Sequence, residues 1–128
     1  MKKLLLITII LLLQSFPSFG EWKKVTQSKD KLYTSYLDFD NVVKKDGHIL
    51  IWNLTDFSKK DEYEYQSYIE YMKVDCKLFK YKILVSHMYE CQMGDCTPKE
   101  TNDVEDIKWD YPIPQTFGYR IVKNICEN

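Results

Sequence analysis

Apolar and polar residues alternate along much of the chain after residue 20, a pattern typical of β-strands. The clearest alternation covers Tyr63–Asp75, where tyrosine and isoleucine take odd positions and glutamate and glutamine take even ones. His48–Phe57 is apolar on both faces in its middle, as expected for a central strand, and Asp46-Gly47 before it is a strong hairpin signal. Further strands are predicted at Glu21–Gln27, Leu32–Phe39 and Cys76–Tyr89, and an edge strand or loop at Thr97–Ile107.

The tyrosine-rich strand has two interpretations. In the favoured one Tyr65, Ile69 and Tyr71 form core beneath a covering helix, because a sheet face needs a cover. In the other, the tyrosines form a partner-binding surface, since Tyr gives a large contact area at low entropic cost. Both hold if Tyr68 projects to the opposite face. In the next strand the predicted inner residues are Phe79, Tyr81, Ile83 and Val85, alternating with Lys80, Lys82 and Ser86.

The end of the chain changes pattern. Pro112 and Pro114 forbid strand pairing, and Thr116 is a suitable N-cap. We predict a helix over Gln115–Cys126, although Gly118 weakens it by about 1 kcal/mol relative to Ala. Its apolar positions recur at helical spacing: Phe117, Ile121, Val122 and Ile125.

The N-terminus has the features of an export signal. Two lysines precede the apolar run Leu4–Leu13, and small residues lead to Gly20. The run is shorter than the about 20 residues that a membrane-spanning helix needs. We expect a signal peptide at residues 1–20, cleaved after Gly20, and a single domain at 21–128; the alternative is an uncleaved membrane anchor.

Cleavage would leave 108 of the 128 residues, with 16 Lys and Arg against 19 Asp and Glu, a net charge of −3. No basic excess points to nucleic acid. One strip of lysines is favoured as a solvated face because acids are interspersed with it: Lys73, Lys77, Lys80 and Lys82.

Four cysteines follow the predicted signal peptide: Cys76, Cys91, Cys96 and Cys126. An even number in an exported chain argues for two disulfides, with three pairings open. Cys91 and Cys96 flank a turn-like stretch, and pairing them leaves Cys76 with Cys126. A zinc site that includes His87 and free or intermolecular thiols are the alternatives, but the spacing lacks paired CxxC motifs.

Together these elements predict an α+β fold. About six antiparallel strands form one sheet, and a C-terminal helix packs on one face of it. A disulfide between Cys76 and Cys126 would tether the helix to the sheet, and the chain-entropy relation assigns that long loop roughly 4 kcal/mol of stabilisation.

Candidate catalytic residues are sparse. Asp38 and Asp40 share a face if their strand persists, but aspartates at a strand end are more often turn formers. Ser86 and His87 are adjacent on a strand and so point to opposite faces. An acidic group lacks the 12-residue calcium-loop pattern and is interpreted as a solvated loop: Asp103, Glu105 and Asp106. We therefore expect no enzyme activity, metal or cofactor.

Several short motifs follow one another in a recognisable order: Trp22, Tyr36–Asp38, the segment Val42–Ile51 followed by Trp52–Asp56, Asp75-Cys76, Trp109 with Pro112 and Pro114, and Cys126. With these motifs the chain resembles the surface-adhesin protein E family of bacterial exported proteins. The resemblance implies an antiparallel sheet with a C-terminal helix tethered by a disulfide. It also implies a surface protein that binds host or matrix components and can form a dimer. The chain departs from the family in having no lipidation cysteine, and in the additional pair Cys91 and Cys96.

The resulting functional expectation is an exported, non-enzymatic, adhesin-like binding protein that engages extracellular, host or matrix proteins. The alternative is a periplasmic structural, interaction or inhibitor protein. Periplasm, outer-membrane surface and medium all remain open as locations, a homodimer is feasible, and the sequence assigns no binding face.

Overall fold

The structure, a computed structural model, describes residues 20–103 and 108–128. The predicted signal peptide therefore lies outside the described residues, apart from Gly20. The strands are β1 Lys23–Gln27, β2 Tyr33–Leu37, β3 Val43–Lys45, β4 His48–Phe57, β5 Ser67–Asp75, β6 Lys80–Tyr89 and β7 Glu100–Asp103, and the helix is α1 Phe117–Glu127. No helix among these residues is long and apolar enough to cross a membrane.

The strands form one antiparallel sheet in the order β1-β2-β4-β5-β6-β7, with the short β3 paired to β4. The predicted α+β fold with a single C-terminal helix is confirmed. The hairpin between β3 and β4 turns at Asp46 and Gly47, which have φ values of 52° and 74°. Positive φ at both central residues suits the twist of a two-residue hairpin loop, which is why the Asp-Gly pair predicted this turn correctly.

Helix α1 covers one face of the sheet, which we call the helix face. It begins after Thr116, whose side chain accepts a hydrogen bond from the Tyr119 backbone N–H, as the capping prediction required. The core between helix and sheet contains seven buried residues: Leu37, Ile51, Met72, Val74, Ile121, Val122 and Ile125. The Cys76–Cys126 disulfide closes this layer at the end of β5, with a Cα–Cα distance of 5.6 Å.

The opposite face, which we call the aromatic face, has its own buried cluster around Leu54, Ile69 and Tyr89. The expectation that Tyr65, Ile69 and Tyr71 lie beneath the helix was therefore wrong. Even positions of β5, such as Met72 and Val74, face the helix instead. Alternation along a strand separates two faces but does not say which face the helix takes.

Strand β5 also starts later than predicted, at Ser67 rather than Tyr63. The Asp61 carboxylate accepts hydrogen bonds of 2.9 Å from the backbone N–H groups of both Tyr63 and Tyr65. This Asx-type turn holds the two tyrosines out of the sheet.

A register shift in β6 corrects a second face assignment. Tyr71 pairs with Val85 while Met72 pairs with Ile83, so Leu84 is an extra residue on β6. A bulge of this kind reverses the side-chain alternation beyond it. Val85 consequently lies on the aromatic face, opposite to Ile83 and Tyr81.

Candidate functional site

The second disulfide closes a short loop against the aromatic face. Cys91 and Cys96 are joined with a Cα–Cα distance of 6.1 Å, and we call residues 91–96 the capping loop. Met93 and Cys91 pack against the cluster of Leu54 and Ile69. The loop therefore covers one end of the aromatic face.

Polar contacts fix the capping loop to the sheet. The Met93 backbone N–H donates to Asp56 Oδ1 at 2.7 Å, and burial raises the pKa of that carboxyl group. Ser67 Oγ accepts from the Gly94 N–H at 2.9 Å and donates to the Cys91 carbonyl oxygen at 2.6 Å. The loop is thus a fixed part of the surface, because a fully buried serine hydroxyl is committed to both of its bonds.

Beside the capping loop, aromatic rings from three strands lie side by side on the aromatic face. Trp52 stands directly opposite Tyr71, with ring centroids 4.7 Å apart, and also stacks with His87 at 6.0 Å. All three side chains are partly exposed. Rigid aromatic side chains with one accessible surface are typical of protein-binding sites.

Lysines extend this surface toward the other end of the sheet. Lys73 on β5 and Lys82 on β6 are directly opposite each other, an arrangement of like charges that costs stability. The ammonium groups of Lys80 and Lys82 lie 4.6 Å and 5.1 Å from the Trp109 ring centroid. The structure therefore brings together three lysines of the strip, whereas Lys77 lies in the turn after β5.

Trp109, which the sequence indicated only as part of the motif with Pro112 and Pro114, is a partly exposed residue of this surface. His48 stacks on it at 5.4 Å, and the His48 ring lies 3.8 Å from the Asp75 carboxylate. Nothing in the local pattern around Trp109 indicates this contact, because it joins segments far apart in the chain.

The aspartates considered for catalysis have structural roles instead. Strand β2 ends at Leu37, and fully buried Asp38 caps the following turn by accepting from the Asp40 N–H at 3.1 Å. It also accepts from Asn41 Nδ2 at 2.7 Å. The condition for a shared strand face is therefore not met.

The remaining candidate chemistry is dispersed. Ser86 lies on the helix face near Glu70, whereas the His87 Nδ1 atom lies 2.8 Å from Thr101 Oγ1 on the other face. No group of three metal-ligating side chains occurs within residues 20–103 and 108–128. Of the acidic loop, Asp103 ends β7, and Glu105 and Asp106 lie outside the described residues.

Glu70 holds one of the even, polar positions of the alternating strand, and the even positions of β5 lie on the helix face. It pairs with Asn53 and Ser86 across the two neighbouring strands, and Ser86 Oγ donates to it at 3.5 Å. The Glu70 side chain as a whole is half-buried, but its carboxyl group is surrounded by protein atoms. Burial raises the pKa of Glu70 to about 7, against the opposing effect of hydrogen bonds from Ser86 and Asn53.

The geometry defines a class of protein: a small, disulfide-stabilised α+β domain with one sheet face closed by a tethered helix and an aromatic face that carries lysines. The chain belongs to the surface-adhesin protein E family, whose model matches residues 22–127. The chain is thus adhesin-like, and membership implies an exported or surface location and binding to extracellular proteins.

Two solved structures have the same fold. One is Haemophilus influenzae protein E, with a TM-score of 0.55 and 14% identity over 88% of this chain and 90% of that chain. Another is protein E from non-typeable Haemophilus influenzae, with a TM-score of 0.51 and 15% identity over 88% of this chain and 80% of that one. Identity at this level supports the fold alone. No curated protein sequence matches the chain.

Proposed function

We propose that the protein is an exported, non-enzymatic adhesin-like protein that binds an acidic region of an extracellular host or matrix protein through its aromatic face. The observation that carries the proposal is the pairing of Lys73 with Lys82 beside partly exposed Trp52 and Tyr71. Two like charges placed opposite each other cost stability in the free protein. An acidic partner would relieve that repulsion while the aromatic rings supply contact area.

Binding is proposed in place of catalysis because the candidate catalytic groups have structural roles or lie too far apart to act together. Asp38 caps a turn, and Ser86 and His87 lie on opposite faces. The sheet surface, by contrast, combines aromatic and cationic groups on one rigid element, a suitable basis for recognition.

A charge-reversal experiment tests the proposed face. The protein is first screened against immobilised matrix and host proteins. The double variant Lys73→Glu/Lys82→Glu is then compared with the control Lys29→Glu/Lys59→Glu. The control changes the net charge by the same amount, but in exposed loops away from this face. We expect the first variant to lose about tenfold or more in affinity and the second to bind as wild type does. Equal losses would refute the assignment of the face, and no binding to any matrix or host protein at micromolar concentrations would refute the adhesin function.

A periplasmic structural or inhibitor role is the second candidate, favoured by the absence of a cysteine near Gly20 that could be lipidated. Fractionation separates the two: adhesion requires the protein at the cell surface or in the medium, whereas confinement to the periplasm supports the second role. Light scattering of the purified protein tests the proposed homodimer.

Export is proposed to proceed by cleavage after Gly20, leaving one domain over residues 21–128. The backbone nitrogen of Glu21 lies 3.2 Å from Asp40 Oδ2. Cleavage would convert this amide into a terminal ammonium group beside a carboxylate, so the new N-terminus would be held by an ion pair. Intact mass of the exported protein tests the site, and any mass other than that of residues 21–128 with two disulfides would contradict it.

A further inference from the structure

A cleft of about 190 Å³ lies between the start of helix α1 and the sheet, on the face opposite to the proposed adhesive surface. Its floor is polar, with Asn53, Thr55 and Glu70 contributed by β4 and β5. Its walls are apolar and come from both layers: Met72, Ile83, Phe117 and Ile121.

The floor belongs to a row of polar residues that crosses the helix face. Ser35 Oγ donates to Asn53 Oδ1 at 2.5 Å, and Asn53 Nδ2 donates to Thr55 Oγ1 at 3.2 Å. Glu70 follows on the next strand, opposite Asn53. Ordinary core packing would favour apolar residues at these positions, since buried polar groups cost free energy unless each is bonded.

Glu70 is the charged member of the row, and no cation among the described residues offsets it. Its hydrogen-bond donors, Ser86 and Asn53, are neutral. The titratable groups that sense its charge are the phenols of Tyr68 and Tyr81, both with a raised pKa and therefore neutral at physiological pH. The Arg120 guanidinium lies 5.9 Å from the Phe117 ring centroid and makes no ion pair with Glu70, since its Nε donates to Thr26 Oγ1 at 2.8 Å.

Helix α1 leaves the cleft accessible at a glycine. Gly118 lines the cleft in the first helical turn, and a Cβ atom placed there would meet only the Tyr81 hydroxyl, at 3.9 Å. A glycine weakens a helix relative to alanine. An alanine would fit here without a clash, so only a side chain larger than a methyl group would close this side of the cleft.

We propose that this cleft is a binding site for an organic ammonium ion with an apolar body, whose charged group pairs with Glu70 and whose body packs against Phe117 and Ile83. A carboxylate at the base of an apolar cleft recognises a cation with a hydrophobic stem, as pocket-forming sites commonly combine apolar walls with a few polar groups. Two sources share this chemistry: a free amine and a lysine side chain of another polypeptide.

The test is calorimetric titration of the protein, expressed from its full-length gene and purified as exported. The two probes are phenethylamine and a short peptide that is acetylated at its N-terminus and has a lysine with a free side-chain ammonium group. Saturable binding of either probe supports the site, and the preferred probe identifies the source. The neutral analogue 2-phenylethanol should bind far more weakly than phenethylamine. Because the site needs the ionised carboxylate, affinity should be about 30-fold lower at pH 5.5 than at pH 8.

Variants separate charge from shape. Glu70→Gln should abolish the pH dependence and lower the affinity at pH 8 by at least the same factor, while Glu62→Gln, in an exposed turn, should change neither. Gly118→Leu should block the cleft, whereas Gly118→Ala should retain binding. The proposal is overturned by no saturable binding of either probe, by equal binding to Glu70→Gln, or by equal affinity for 2-phenylethanol. None of these results affects the charge-reversal test of the aromatic face.

Discussion

Replacing Glu70 by Gln should make the protein more stable at neutral and alkaline pH. The ordinary pKa of the group is 4.5, and burial raises it to about 7 in the folded protein. Between these values the unfolded chain releases the proton while the folded protein retains it, so stability falls as pH rises through this window. Below about pH 4.5 the group is protonated in both states and has no such effect.

The pKa difference sets the size of the effect. At about 1.4 kcal/mol per pKa unit, the change from 4.5 to about 7 corresponds to up to roughly 3 to 4 kcal/mol of lost stability above pH 7. Solvent that reaches the carboxylate through the cleft reduces this, so the figure is an upper bound. The neutral glutamine keeps nearly the same shape and carries no such penalty.

The assay is urea unfolding followed by tryptophan fluorescence at pH 4, 5.5, 7 and 8, with wild type, Glu70→Gln and Glu62→Gln compared. The free-energy difference between Glu70→Gln and wild type should grow in favour of the variant from pH 4 to pH 8. Titration of the other carboxylates cancels in this difference. A difference that does not vary with pH, or one that Glu62→Gln reproduces, would show that Glu70 is not a buried, raised-pKa carboxylate.

Two further predictions concern the disulfides and the capping loop. Replacing both Cys76 and Cys126 by Ala removes a disulfide that spans 50 residues and should lower the free energy of unfolding by about 4 kcal/mol. Replacing both Cys91 and Cys96, whose disulfide spans five residues, should lower it by about 2 kcal/mol. Equal losses in urea unfolding would contradict the loop-length argument. Gly94→Ala should cost roughly 1 kcal/mol more than Gly47→Ala, because both glycines have positive φ but only a Cβ at Gly94 would meet Ile69, at 2.6 Å. Similar decreases in melting temperature for the two alanine variants would show that the capping loop can move away from the sheet.

Much of the architecture could be predicted from local patterns. The hairpin at Asp46-Gly47, the central strand His48–Phe57 and the helix after Thr116 all depend on interactions within a few residues of each other. Turn chemistry, strand alternation and capping are such interactions, so the sequence alone indicates them.

The candidate sites were less predictable because they combine distant segments. The contact of Trp109 with Lys80 and Lys82 forms when the chain after β7 returns to the sheet. The cleft beside Glu70 exists only where helix α1 meets β4 and β5. No spacing along the chain reports such contacts.

The sequence by itself determined the kinds of element, their order and the two sets of side chains on each regular strand. The tertiary structure decided which set lies beneath the helix, placing Met72 there rather than Ile69. It also decided, through the bulge at Leu84, where the alternation in β6 reverses. The physical reason is that alternation depends only on backbone geometry within a strand, whereas the choice of covered face depends on how helix, capping loop and sheet pack together.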